Sequence, residues 1–125
     1  MRLLLDTNIV LWVAADSPRL TGAARQEIES AEAVFVSSMS LWEMVIKAGL
    51  GKLDVDFSRL LTRMNTAGIR ELSVTWRHAM AVRPLPNHQR DPFDRMLIAQ
   101  AISEPLRLIT GDARLCAYSD LVMLV

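Results

Sequence analysis

Cysteine is almost absent from this sequence of 125 residues, in which Cys116 is the only one. One thiol cannot form an intrachain disulfide, a CxxC redox pair or a zinc site built on cysteine pairs. A reducing, cytoplasmic setting is therefore the simplest fit. Glycine and proline number five each and are dispersed along the chain, which excludes collagen-like and low-complexity proteins.

Long hydrophobic runs and an excess of charge are also missing. No apolar run approaches the ~18 residues of a membrane span, and Asp6 and Asn8 interrupt the apolar N-terminal stretch, which disfavours a signal peptide. Lys and Arg number 14, as do Asp and Glu. This balance argues against nucleic-acid binding only if the location of the charges is ignored. With 51% apolar and 22% charged residues, the composition predicts one globular domain over residues 1–125.

Short apolar runs alternate with stretches of helical spacing along the chain. The runs are 3–5, 34–36, 106–109 and 121–125, with a weaker strand candidate at 71–74, and the helical stretches are 21–31, 40–48, 57–67, 75–82 and 92–103. Short runs without polar alternation are typical of strands buried on both faces. The pattern predicts an α/β fold with a mainly parallel sheet of about five strands, covered by helices on both faces.

Acidic residues recur at the junctions between these predicted elements. Asp6 and Asp112 follow two of the strands, Glu43 lies early in the helix after another strand, and Asp94 lies early in the helix that precedes the 106–109 run. Ligands of open parallel sheets bind outside the carboxyl ends of the strands. We therefore expect the four acids to converge at one edge of the sheet.

Helix capping explains each acid singly. Asp91 before Pro92 is typical of an N-cap followed by proline at the first helical position, and Ser40 with Glu43 matches a capping box. Asp6 is likewise placed to cap the segment after its strand. Ser, Thr and Asn cap helices as well as Asp does, so the recurrence of ionisable acids favours chemistry over capping alone.

Four converging carboxylates would repel one another, and a cation must balance them. No Lys or Arg lies beside Asp6 or Glu43 in the sequence, and the nearest basic neighbour of any of the four acids is Arg95. A hard divalent ion, Mg²⁺ or Mn²⁺, is the expected counterion. Such ions over carboxylates activate water for phosphodiester hydrolysis.

The blocks Leu4–Asn8, Ser40–Glu43, His88–Ala101 and Thr110–Asp112 together resemble a PIN domain and, within that family, the VapC-type toxin ribonucleases. The resemblance covers nearly the whole chain. It implies a three-layer α/β/α sandwich and a Mg²⁺-dependent endoribonuclease, for which Mn²⁺ can substitute. It also implies an RNA substrate, a small VapB-like antitoxin as partner and a homodimer.

The same resemblance assigns roles to the acids. Those that correspond to the family's metal-binding residues are Asp6, Glu43, Asp94 and, at the more variable fourth position, Asp112. Asp91 is a rival to Asp94 because it lies one helical turn away. Asp94 keeps the family's spacing to Ile98 and Ala99, so we interpret Asp94 as the metal acid and Asp91 as the N-cap.

Three further residues accompany these acids. By the resemblance, Thr7 and Asn8 orient Asp6 or a metal-bound water, and local capping of the backbone is the alternative. Arg95 either contacts RNA phosphate or pairs with Asp91, four residues earlier.

Other function classes fit the sequence less well. A non-catalytic interaction module with a PIN-like fold is the main alternative, and the presence of all four acids disfavours it. A phosphoacceptor receiver domain would need a lysine after a late strand, and a phosphatase of the haloacid dehalogenase type would need a second Asp where Asn8 stands. The RNA target, the number of metal ions and the dimer surface stay open.

Overall fold

The computed structural model describes all residues 1–125, which form five strands and six α-helices. The strands are β1 (Arg2–Leu5), β2 (Ala33–Ser37), β3 (Arg70–Leu72), β4 (Arg107–Thr110) and β5 (Val122–Leu124). The α-helices are α1 (Thr7–Ala14), α2 (Gly22–Ser30), α3 (Ser38–Gly49), α4 (Phe57–Thr66), α5 (Trp76–Ala81) and α6 (Pro92–Ser103), and a short 3-10 helix covers Ala113–Ala117. No helix combines the length and the apolar character that crossing a bilayer requires.

The five strands form one sheet in the order β3-β2-β1-β4-β5, and every pairing between neighbours is parallel. This arrangement confirms the predicted α/β fold and its parallel five-stranded sheet. β1 lies at the centre, where Leu5 pairs with Val36 of β2 and with Ile109 of β4. The residues that follow β1, β2 and β4 therefore emerge at the same edge of the sheet.

Alternating residues of β1 face two separate hydrophobic cores. Leu3 and Leu5 pack into the core covered by α1 to α4, whereas Leu4 packs against Leu97 and Ile98 of α6. All five side chains are buried. Helices thus cover both faces of the sheet, as the three-layer sandwich requires.

The helix α1 is the one long element that the sequence pattern does not predict. The stretch from Ile9 onward is apolar over nearly its whole length, so it lacks the polar face by which an amphipathic helix is identified. In the structure Asp6 is its N-cap, because the carboxylate accepts a hydrogen bond of 2.7 Å from the backbone N–H of Thr7. Ile9 and Val10 are buried against the sheet core.

The capping box expected at the start of α3 is wrong. The N-cap is Ser37, whose hydroxyl accepts a 3.0 Å hydrogen bond from the backbone N–H of Met39. Glu43 therefore lies beyond the first turn of the helix, and its carboxylate does not cap α3.

Two isoleucines one helical turn apart on α6 allow a test of the core between α6 and the sheet. Ile98 is fully buried, whereas Ile102 is 42% exposed. We expect Ile98→Ala to lower the free energy of unfolding by about 2–5 kcal/mol, because it leaves a cavity against β1. The matched variant Ile102→Ala should cost less than about 1 kcal/mol. Urea unfolding followed by circular dichroism measures both, and equal losses would contradict this packing.

Candidate active site

A polar cavity of about 360 Å³ lies at the carboxyl edge of the sheet. Its acidic lining residues are Asp6, Glu43, Asp91, Asp94 and Asp112. Thr7 and Asn8 line it as well. The structure thus gathers every predicted site residue except Arg95 around one cavity, although they come from four distant parts of the chain.

Asp6 lies at the junction of β1 and α1, and it is only 7% exposed. One carboxylate oxygen accepts the Thr7 backbone N–H, and the other accepts a 2.7 Å hydrogen bond from the Thr110 hydroxyl at the end of β4. Burial raises the pKa of Asp6, while the hydrogen bonds from Thr110 and Thr7 oppose this rise. Both oxygens are therefore held in a fixed orientation.

Glu43 projects from α3 and is 6% exposed. Its Oε1 accepts a 2.7 Å hydrogen bond from the Thr7 hydroxyl, and its Oε2 lies 2.7 Å from the Lys47 ammonium nitrogen. Thr7 therefore connects the two buried acids, because its backbone binds Asp6 and its side chain binds Glu43. This dual role fits the orienting function expected of Thr7.

Asp91 and Asp94 occupy the first turn of α6. Asp91 is the N-cap, and its Oδ1 accepts the backbone N–H groups of Phe93 and Asp94 at 2.8 and 3.3 Å. The Asp94 carboxylate accepts no hydrogen bond, and burial followed by the charges of the other four acids raises its pKa from 3.8 to about 7. Asp94 is thus the one acid of the cavity whose charge the protein leaves uncompensated.

Asp112 follows β4 and caps the short 3-10 helix. Its carboxylate accepts hydrogen bonds from the backbone N–H and the guanidinium of Arg114, which holds the pKa of Asp112 below its usual value. At Gly111, the residue before this acid, an added Cβ would lie 3.1 Å from the Trp12 ring, which is tighter than an ordinary van der Waals contact. Close packing on Trp12 explains why the residue before the acid is glycine.

Two basic side chains line the cavity, although neither adjoins Asp6 or Glu43 in the sequence. Lys47 pairs with Glu43, and Arg114 pairs with Asp112. Sequence reasoning also assigned no role to Thr110. The spacing of four residues between Glu43 and Lys47 on one helix is the signal that predicts their contact.

Arg95 lies outside the cavity, and the ion pair with Asp91, one of the two roles considered for it, does not form. Its guanidinium donates to backbone carbonyls of the loop between α5 and α6 and to the Tyr118 hydroxyl. Five donors in a planar fork suit several acceptors at once. Arg95 therefore stabilises the loop that leads to Asp91.

The cavity offers the ligand chemistry of a hard divalent cation, because its charged donors are carboxylate oxygens. No three His, Cys, Asp or Glu side chains are grouped closely enough to hold an ion as they stand. Mg²⁺ commonly binds through one or two carboxylates and retains several waters. Carboxylates that are spread around the cavity in this way therefore fit such an ion. The uncompensated Asp94 carboxylate supports the same assignment.

Comparisons with known proteins agree with this architecture. A family model described as "PIN domain" matches residues 3–121. The chain is 32% identical over 117 residues to Ribonuclease VapC22 of Mycobacterium tuberculosis, covering 92% of this chain and 90% of that protein. The fold is similar to the crystal structure of VapBC2 from Rickettsia felis bound to a promoter DNA fragment (TM-score 0.72, 15% identity, 100% of this chain and 98% of that one). It is also similar to a toxin-antitoxin complex from Klebsiella pneumoniae (TM-score 0.66, 22% identity, 97% and 95% coverage).

The raised pKa of Asp94 predicts how the metal-free protein responds to pH. An acid with a raised pKa in the folded state keeps its proton there between pH 3.8 and about 7, whereas the unfolded chain releases it. Stability should therefore fall as pH rises through this range. At pH 8 without divalent ions, Asp94→Asn should raise the melting temperature by roughly 3–6 °C, or about 1 kcal/mol after allowance for solvent screening.

Asp54→Asn is the control, since Asp54 is exposed and lies outside the cavity. Melting curves from pH 5 to pH 8 in EDTA provide the measurement. If the melting temperature of Asp94→Asn falls with pH as steeply as that of the wild type, ionisation of Asp94 is not the cause of the pH dependence.

Proposed function

This chain belongs to the PIN domain family, and we propose that it is a metal-dependent endoribonuclease that hydrolyses RNA phosphodiester bonds. The observation that carries the proposal is the convergence of five carboxylates on one cavity, of which Asp94 has no partner in the protein. The similarity to a protein named as a ribonuclease supports the choice of RNA as substrate.

The residues that would hold Mg²⁺, or Mn²⁺ in its place, are Asp6, Glu43, Asp94 and Asp112. The bound ion would lower the pKa of the attacking water and take up charge on the leaving oxygen. Thr110 and Thr7 hold the carboxylates of Asp6 and Glu43 by hydrogen bonds of 2.7 Å, which spares the site the cost of ordering them when ion and substrate bind. Asn8 is exposed at the cavity wall, where it can contact a water or the substrate.

No imidazole is placed to transfer a proton at this site. Neither histidine lines the cavity. His78 is buried and hydrogen-bonded to Glu104, and the His88 ring packs edge-on against Tyr118. Proton transfer at the cavity therefore does not depend on either imidazole.

We also propose that the chain is the toxin of a VapBC-type toxin–antitoxin pair, acting in the cytoplasm as a homodimer bound to a small VapB-like antitoxin. Solved structures with this fold are described as VapBC or toxin-antitoxin complexes, which supports the proposal. An antitoxin that reaches the cavity would need basic groups, because five acids line it.

The nuclease proposal predicts that the purified chain, freed of any antitoxin, cleaves RNA in Mg²⁺ or Mn²⁺. Addition of EDTA should abolish cleavage. Asp6→Asn should lower the rate by at least about 100-fold, because it removes a carboxylate that would hold the ion, and the ion stabilises the negative charge that develops in the transition state. Gel analysis of a labelled single-stranded RNA measures the rate.

Asp54→Asn, expressed and purified in parallel, should retain the wild-type rate and controls for contaminating nucleases. Cleavage that persists in EDTA, or in Asp6→Asn at the wild-type rate, would falsify the assignment. Absence of cleavage with retained antitoxin binding would identify a non-catalytic interaction module instead.

The hydrogen bond from Thr110 predicts the pH dependence of the reaction. It stabilises the ionised form of Asp6 and so opposes the rise in pKa that burial causes. Thr110→Val removes the donor, which raises the pKa of Asp6 and should move the acid limb of the kcat/KM profile up by about one pH unit. Thr110→Ser keeps a hydroxyl and should leave the limb in place. A limb that is unchanged in Thr110→Val would exclude Asp6 as the titrating group.

A further inference from the structure

Lys47 and Arg114 are the two cationic side chains that line the acidic cavity. Lys47 Nζ lies 2.7 Å from Glu43 Oε2, and Arg114 Nη2 lies 2.8 Å from Asp112 Oδ2. The cations are 47% and 67% exposed, whereas their acidic partners are 8% and 26% exposed. Each cation thus has its acid on one side and open solvent on the other.

The charge of the cavity determines what these cations can bind. Five carboxylates and two cations line it, which leaves a formal charge of −3 when every group is ionised. An RNA phosphate would be repelled from such a surface. Divalent ions change this formal charge. One bound ion brings it from −3 to −1, and a second makes the cavity positive.

We infer that Lys47 and Arg114 form a binding site for RNA backbone phosphate, which Glu43 and Asp112 mask until these carboxylates turn to a divalent ion. This inference rests on the proposed function, because it assumes that the acids bind metal and that the substrate is RNA. It adds two residues to the site and makes phosphate binding dependent on the metal.

The chemistry of the Lys47 and Arg114 side chains suits the replacement of a carboxylate partner by a phosphate. A guanidinium presents a planar fork that matches phosphate oxygens, and an ammonium on a flexible stem reaches a phosphate as a point charge. The Lys47 ammonium is about half exposed and the Arg114 guanidinium is two-thirds exposed, so water can solvate each cation when its acid turns to the ion. Arg95 cannot take this role while its guanidinium is bound to the loop carbonyls.

Lys47 offers a direct test, since the chain contains only one other lysine, the exposed Lys52. Reductive ¹³C-methylation labels both lysines and the N-terminal amine. We expect Mg²⁺, added without RNA, to shift the Lys47 methyl signal as the ammonium leaves Glu43 and to leave the Lys52 signal in place. A Lys47 signal that stays in place at saturating Mg²⁺ would overturn the inference.

Lys47→Gln should change the affinity for Mg²⁺ and the affinity for RNA in opposite directions. Mg²⁺ should bind about two- to fivefold more tightly by calorimetry, because a competing cation is gone. A phosphorothioate RNA, confirmed intact on a gel, should bind more weakly in Mg²⁺, and the slope of log Kd against log salt should fall by about 1. Lys47→Arg should restore RNA binding, and Lys52→Gln should match the wild type in both measurements.

A purely structural ion pair would give a different result. In that case Lys47→Gln would bind RNA as tightly as the wild type, which contradicts the inference. Weaker RNA binding with unchanged Mg²⁺ affinity would show an ordinary surface cation and also overturns it. If the Lys47 signal moves with Mg²⁺ but the wild type cleaves no RNA, the proposed function fails while the exchange at Glu43 stands.

Discussion

Repulsion between carboxylates at the edge of a parallel sheet is the constraint on which the rest of this site depends. Parallel strands bring their carboxyl ends to one edge, so Asp6 and Asp112 are close although they are far apart in sequence. Helices α3 and α6 add three more acids to the same cavity. The fold can hold this charge only by supplying donors and cations of its own, or by binding an ion.

The structure meets most of this requirement with local hydrogen bonds. Asp6, Asp91 and Asp112 each cap the helix that follows them. Capping and site chemistry are therefore not alternatives, because a carboxylate has two oxygens and a cap occupies one of them. The second oxygen of Asp6 is bound by Thr110 from the neighbouring strand, which is a contact between distant residues that only the sheet creates.

Side-chain cations neutralise the remaining acids of the cavity, except Asp94. Lys47 and Arg114 neutralise Glu43 and Asp112 at distances typical of charged hydrogen bonds. The Asp94 carboxylate has no such partner, and burial together with the charges of the other acids raises its pKa to about 7. A cavity in which every acid but Asp94 has a hydrogen-bond donor or a cation beside it leaves that one carboxylate available for an ion.

The sequence by itself determined the order of strands and helices and the acids that gather at one edge, since alternating hydrophobic runs and strand ends are local properties. It could not reveal α1, because an apolar helix lacks the polar face that marks one in sequence. Only the tertiary structure decided that Ser37 caps α3, that Thr7 and Thr110 hold the acids, and that Arg95 binds a loop. The Thr7 and Thr110 contacts depend on which distant side chains the parallel sheet brings within hydrogen-bond reach, and no spacing along the chain encodes that distance.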